Sequence, residues 1–275
     1  MAILQEKTYH SLSIVIATYN RTQKAIDLAK EISTIKPGIE IIIVDQLSYV
    51  AVKIESKNIK YFNLNIANLS AARNFGLNNS SGEIVLFLDD DVEITKDTIP
   101  SHLQNYDNTD VIGVAGRVIN DGEKIPKNTD IETGKTNLLH TKFIQYFWST
   151  KKQYVDFAYG CNMSYRRSAL KTVVGFDEKF SKIFDEIDMG VRISKIGKIV
   201  FEPDALVYHH KAVSGGIRDE ENKDKNKLVY YYYGYFMSKN VIFPFSLISL
   251  MMRTVTILRE YPYSLWSLYK GYLNL

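Results

Sequence analysis

Three consecutive carboxylates, Asp89-Asp90-Asp91, close the apolar run Ile84-Val85-Leu86-Phe87-Leu88. Preceded by Asn78-Asn79-Ser80-Ser81-Gly82, the run reads as a strand buried on both faces. Adjacent anions repel, so a cation must neutralise them, and hard oxygen ligands suit Mg²⁺, Mn²⁺ or Ca²⁺ better than zinc. A strand's carboxyl end is also where open α/β sheets hold ligands. The competing reading is a solvated acidic turn ahead of a helix over Val92 to Gln104. Near the other end of the chain, His209-His210 follow the run Ala205-Leu206-Val207-Tyr208. Paired histidines at a strand end are often incidental, but if this end approaches the triplet, one imidazole completes an octahedral metal shell. Arg73 offers a planar donor fork for phosphate oxygens, or is a solvated helix charge. Neither a glycine-rich dinucleotide fingerprint nor a phosphate loop competes for that role.

The elements that must position these groups follow from apolar periodicity. Leu12 to Ala17 is a buried strand ending in Thr18-Tyr19-Asn20-Arg21. Ala25, Ile26, Leu28, Ala29 and Ile32 recur at helical spacing until Lys36-Pro37-Gly38. Ile39 to Val44 is a second strand, ending in Asp45-Gln46, so the three elements form a βαβ unit and predict a parallel sheet. A short strand, Ile59 to Phe62, precedes a helix with Ser70 as its expected N-cap and an end near Gly76 to Ser80. The acidic strand follows, so Thr18, Asn20, Asp45 and Asp89 to Asp91 fall on one sheet edge. Further strands are expected over Val111 to Ile119, Phe157 to Tyr165, Ile199 to Phe201 and Ala205 to Tyr208. Asn120 to Asn137 reads as a mobile surface loop, Ser168 as the start of a short helix, and Asp185-Glu186-Ile187-Asp188 as the opening of another that stops at Gly197. Acids in a first helical turn are what the helix dipole favours, which by itself accounts for all three.

The 275 residues are 45% hydrophobic, enough for a substantial core, and the net charge of +3 argues against a nucleic-acid binder. One cysteine, Cys161, excludes an internal disulfide framework and fits a reducing compartment. The N-terminal residues 1–10 carry no signal pattern, so the expectation is a cytoplasmic protein. From Lys223 onward seven Lys and Arg face two carboxylates, and 13 of the chain's 34 aromatic residues gather there. Its charge-free stretch, Asn240 to Met252, is too short to span a bilayer. Helices packed on the sheet, a homodimer interface and a contact with the inner face of the cell membrane are all open for this segment.

Several motifs together resemble family 2 glycosyltransferases, the nucleotide-sugar-dependent enzymes of the GT-A fold. They are Ser13-Ile-Val-Ile-Ala-Thr-Tyr-Asn-Arg21, Ile42-Ile-Val-Asp45, Asn68-Leu-Ser-Ala-Ala-Arg-Asn-Phe-Gly76 and Phe87-Leu-Asp-Asp-Asp91. The second half adds Gly160-Cys-Asn-Met163, Gly175-Phe-Asp-Glu178, Asp185-Glu-Ile-Asp188 with Arg192, and Pro203 to His209. The resemblance implies a doubly wound, largely parallel α/β sheet. A nucleotide-sugar-binding half (1–118) would abut an acceptor half (119–222), followed by a helical aromatic-rich appendage (223–275). It implies that Thr18, Asn20 and Asp45 contact the nucleoside, with Arg21, Asn68, Arg73, Asp89 and Asp90 also on the donor. Asp89 and Asp91 stand at the ends of the family's metal-binding Asp-x-Asp motif, with His209 as a further contact and Mn²⁺ or Mg²⁺ as the ion. The family's usual base is the second acid of a Glu-Asp pair. Here the order is Asp185-Glu186, so Glu186 is the first choice and Asp185 the alternative.

The implied reaction is inverting transfer of one hexose or deoxyhexose from a UDP-, dTDP- or GDP-linked donor to a glycan or lipid-linked acceptor in cell-surface glycan synthesis. The Gln-x-x-Arg-Trp motif of processive synthases is missing, which favours single-sugar transfer. A nucleotidyltransferase shares such a sheet but needs a glycine-rich basic loop after the first strand. A sugar-nucleotide- or glycan-binding module without activity draws support only from the swapped acids.

Overall fold

A computed structural model describes residues 10–48, 52, 54–210 and 225–274. The N-terminal nine residues, and the part of the acceptor half beyond residue 210, lie outside the described residues. The chain starts with β1 (Leu12–Tyr19), α1 (Thr22–Ile35), β2 (Glu40–Gln46), β3 (Ile59–Leu64), α2 (Leu69–Asn78) and β4 (Ile84–Asp89). Next come β5 (Val92–Ile94), α3 (Thr98–Leu103), β6 (Val111–Asn120), β7 (Lys135–Thr136), β8 (Phe143–Ile144), β9 (Gln153–Val155) and β10 (Asn162–Arg166). The last are α4 (Arg167–Thr172), α5 (Asp185–Ser194), β11 (Lys198–His209), α6 (Lys225–Asn240), α7 (Phe245–Glu260) and α8 (Leu265–Tyr272).

A nine-stranded sheet in the order β3-β2-β1-β4-β10-β6-β11-β5, with β9 also on β11, runs through both halves of the chain. β1 to β4 are parallel, whereas β10 is antiparallel to both β4 and β6, and β11 is parallel to β6. Two reversals restore direction, so β6 and β11 run with β4, and their carboxyl ends share its edge. This mostly parallel sheet, flanked by helices, is the expected α/β architecture. Its central strands are buried on both faces, Ile14, Ile16, Ile41, Val44, Val85 and Leu86 all at 1% exposure or less, which explains their continuous apolar runs.

The elements differ from expectation in five places. Val92–Ile94 is a strand antiparallel to the end of β11, and only Thr98–Leu103 of the expected helix forms. Asn68, not Ser70, caps α2: its Oδ1 accepts from the Ala71 amide at 3.1 Å, while Ser70 donates to the Phe180 carbonyl. Residues 157–161 are not strand, because pairing with β4 begins only at Asn162. β11 is one strand, not two, since the register shift between Glu202 and Leu206 accommodates Pro203. The stretch from Asn120 is irregular and largely exposed as far as 130. It is then tied down as Gly134 exchanges backbone hydrogen bonds with Ile144 and Asp156.

The aromatic C-terminal segment folds back on this body. Tyr232 and Phe236 of α6 belong to the main core, while Tyr230, Tyr233, Met237, Leu250, Ile257 and Leu268 form a second cluster among α6, α7 and α8. α6 and α8 cross through glycines: a Cβ on Gly234 would strike the Leu268 carbonyl, and one on Gly271 the Tyr231 carbonyl.

Candidate active site

Register places the acids. Ala17 pairs with Asp89 and Thr18 with Asp45, so β1, β2 and β4 deliver these groups side by side at one edge. His209, the last residue of β11, pairs with Asn120 at the end of β6 and so reaches the same edge.

Two arginines serve the triplet, Arg21 holding Asp90 and Asp91 and Arg73 holding Asp89. Asp90 is buried and receives the Arg21 fork at 3.0 and 2.7 Å, with the Thr18 hydroxyl donating as well. Burial pushes its carboxyl up to about 7 against the pull of Arg21 and Thr18. Asp91 takes the other Arg21 nitrogen at 3.0 Å and lies 3.1 Å from His209 Nε2. Asp89, the least buried of the three, accepts from Arg73 at 3.2 Å. Among the described residues, Asp89, Asp91 and His209 bring one ligand atom each within 4.8 Å of one another.

The donor set fits a divalent cation. Asn120 Nδ2 donates to Glu123 at 2.7 Å, which orients its Oδ1 to accept the His209 Nδ1–H at 2.9 Å. The Nε2 lone pair then faces a carboxylate oxygen, and two acceptors at 3.1 Å call for a cation between them or a proton on the ring. Two carboxylates and one imidazole are a ligand set for a divalent cation.

Arg73 joins this cluster to the second acidic group. It is 2% exposed, one terminal nitrogen bonds Asp185, and the other reaches Asp89 at 3.2 Å and the Gly160 carbonyl at 2.9 Å. Burial works against its charge, but Asp185, Asp89 and Glu186 raise its proton affinity further, so it is a permanent cation. The Arg73–Asp185 contact alone joins residues 112 apart in sequence. Asp185 is buried beneath it, whereas Glu186, next on α5, is half-buried. Burial first, and then the charge of Asp185, raises the Glu186 carboxyl well above its ordinary range, with Arg73 opposing.

The remaining donor-side candidates occupy the β1–β2 end of the edge. Asp45 is fully buried and accepts from Thr22 at 2.5 Å and Tyr61 at 2.8 Å, while its Oδ1 has no partner among the described residues. Asn20 is exposed in the turn after β1 with φ 58°, a left-handed conformation that Asn tolerates. Asn68 is committed to the α2 cap and the Glu178 carbonyl, and its amide donates to Gln46. Asn120, Glu123, Thr22 and Tyr61 escaped sequence reasoning; each acts through a partner at least sixteen residues away or through another polar residue, and no motif marks them.

Comparison with known proteins identifies the family and the fold. Residues 13–174, more than half of the chain, match the model of glycosyl transferase family 2, and the chain belongs to that family. A 52-residue stretch is 46% identical to an N-acetylglucosaminyl-diphospho-decaprenol L-rhamnosyltransferase of Mycobacterium tuberculosis, covering 18% of this chain and 17% of that protein. The chain therefore matches less than a fifth of that relative's length. Among solved structures, S. aureus TarS 1-349 in complex with UDP-GlcNAc superposes with a TM-score of 0.61 at 17% identity, over 92% of this chain and 73% of that one. A mannosyltransferase from Pyrobaculum calidifontis in complex with GDP-Man and Mn2+ gives 0.57 at 14% identity, over 96% and 74%. The fold is that of GT-A glycosyltransferases.

Proposed function

We propose that the protein is an inverting glycosyltransferase that moves a single sugar from a nucleoside-diphosphate sugar to a hydroxyl of a glycan or lipid-linked acceptor. The observation that carries this reading is Arg73, whose one fork holds Asp89 of the metal cluster and Asp185 beside Glu186. A cation-holding cluster and a candidate proton acceptor therefore lie on either side of one guanidinium.

The unpartnered Oδ1 of Asp45 is an acceptor for a base N–H, with Thr18 and Asn20 beside it for the rest of the nucleoside. Asp89, Asp91 and His209 would hold the divalent cation, which supplies positive charge against the diphosphate leaving group. Glu186 takes the acceptor O–H proton as that oxygen forms its bond to the anomeric carbon, and the bonding pair of the old C–O bond leaves with the nucleoside diphosphate. With no enzyme nucleophile between them, configuration inverts. The raised proton affinity of Glu186 suits a base working near neutral pH. Asp185, tied to Arg73, orients it. The relative's name points to a polyprenyl-diphosphate-linked acceptor and a deoxyhexose, and the single buried thiol of Cys161 fits a cytoplasmic setting.

Sugar release from UDP-, dTDP- and GDP-linked donors, with and without Mn²⁺, tests the reading. Metal-stimulated release from one donor class is expected. Binding of a donor without any release, under either condition and with acceptor glycolipid present, would favour the binding module instead.

A further inference from the structure

α7 is apolar on both faces, burying Leu250 and Ile257 in the second cluster while a further apolar row points outward. Its inward face holds Ser246, Ser249 and Thr254, whose hydroxyls bond Tyr272, the Leu139 carbonyl and Tyr269 at 2.8, 2.9 and 3.0 Å. Its outward face carries Leu247, Ile248, Met251, Val255 and Leu258, all more than 40% exposed. The spacing 247, 251, 255, 258 keeps these on one stripe, roughly 17 Å long at 1.5 Å per residue. The same Tyr269 and Tyr272 bonds set α8 antiparallel beside α7. Trp266 and Lys270 of α8, and Leu273 just past its end, are exposed at the spacing of one helix face. A soluble surface seldom leaves so much contiguous apolar area uncovered.

Charge selects the occupant. Between residues 225 and 274 the only carboxylate is Glu260, against six Lys and Arg. Arg259 and Lys270 are exposed at the stripe itself. A two-fold contact with a second copy would set this basic face against itself with almost no acid to answer it. An anionic lipid surface satisfies both features: the apolar side chains enter the acyl boundary, exposed Tyr263 (88%) and Trp266 (70%) lie at headgroup level, and the cations meet phosphates. No helix of the described residues is long and apolar enough to cross a membrane.

We infer that the outer face of α7 and α8 docks the protein on an anionic bilayer. The docking extends the proposed function, since it would present the cleft to a lipid-linked acceptor, but its test needs neither donor nor metal. Flotation of the full chain with phosphatidylglycerol-containing vesicles, against pure phosphatidylcholine vesicles, reads it directly. Strong co-flotation with the anionic vesicles only is expected. The double variant Met251→Asp/Val255→Asp should lower it at least tenfold, and Arg259→Glu/Lys270→Glu should abolish the preference for anionic lipid. Because all four positions are exposed, unchanged thermal unfolding is the control for folding. No flotation on anionic vesicles, or flotation that the double variant leaves intact, overturns the proposal. So does sedimentation as a dimer that Met251→Asp/Val255→Asp dissolves, which would assign the face to a second copy.

Discussion

Nε2 of His209 lies 3.1 Å from Oδ1 of Asp91, with Nδ1 of the same ring held by Asn120. An imidazole nitrogen and a carboxylate oxygen so placed form a ready pair of ligands, so metal affinity should depend on both residues and on the Asn120 tether. Mn²⁺ should raise the melting temperature of the wild type and have no such effect on Asp91→Ala. Asn120→Leu, which frees the ring without removing a ligand, should weaken Mn²⁺ binding about 10–100-fold. Equal Mn²⁺ affinity in wild type and Asp91→Ala by calorimetry would refute the assignment.

The two acids at the start of α5 should separate by phenotype. Asp185 is 1% exposed against an equally buried Arg73, so Asp185→Asn leaves a buried cation half-compensated and should cost about 3–5 kcal/mol in denaturant unfolding. Glu186→Gln leaves that pair intact. It should retain donor binding and fold at least as stably as wild type while slowing transfer about 100-fold or more. If transfer survives Glu186→Gln, the base is Asp185.

How much of this was legible in the sequence follows from the range of each interaction. β1, α1, β2, α2 and β4 announce themselves because their burial is local: strands covered on both faces are continuous apolar runs, and α1 buries Ala25, Leu28, Ala29 and Ile32 at helical spacing. β5 was hidden because Val92–Ile94 is strand only through its partner at 207–209. The antiparallel β10 in the middle of the sheet likewise has no local signature. Motif residues told which acids gather at the edge. They did not tell that Arg73 lies between the two acidic groups, since a helix charge reads as solvated until its partners 16 and 112 residues away are known.

The pH dependence of transfer follows from the direction of the Glu186 shift. The base must be ionised to accept a proton, and burial beside Asp185 raises its affinity for one. Activity should fall on the acid side with a midpoint well above the ordinary value of about 4.3, and the midpoint belongs to the coupled acids rather than to either alone. For stability the sign is opposite. A carboxyl raised in the folded state favours folding below its unfolded value and loses that advantage as pH rises through the folded one. Glu186→Gln should therefore gain stability relative to wild type as pH rises across this window, which paired urea titrations at several pH values would read.

The C-terminal segment also bears on the base through Lys239. Its Nζ lies 2.6 Å from Asp177 and 3.0 Å from the buried Asp188, and Asn240 donates to Asp188 at 3.0 Å, so the end of α6 clamps the first turn of α5. Arg192 supports Asp188 from within α5, at 2.7 and 2.8 Å. Lys239→Met keeps the aliphatic stem and leaves Asp188 with Arg192 and Asn240, so the loss should be about 1–2 kcal/mol rather than collapse. Because Asp188 is two residues beyond Glu186, a loosened clamp should lower kcat while the donor dissociation constant, set at the far end of the sheet edge, stays within about twofold. A merely structural clamp would change unfolding alone, and a kcat equal to wild type at full folding would show that α6 has no part in positioning the base.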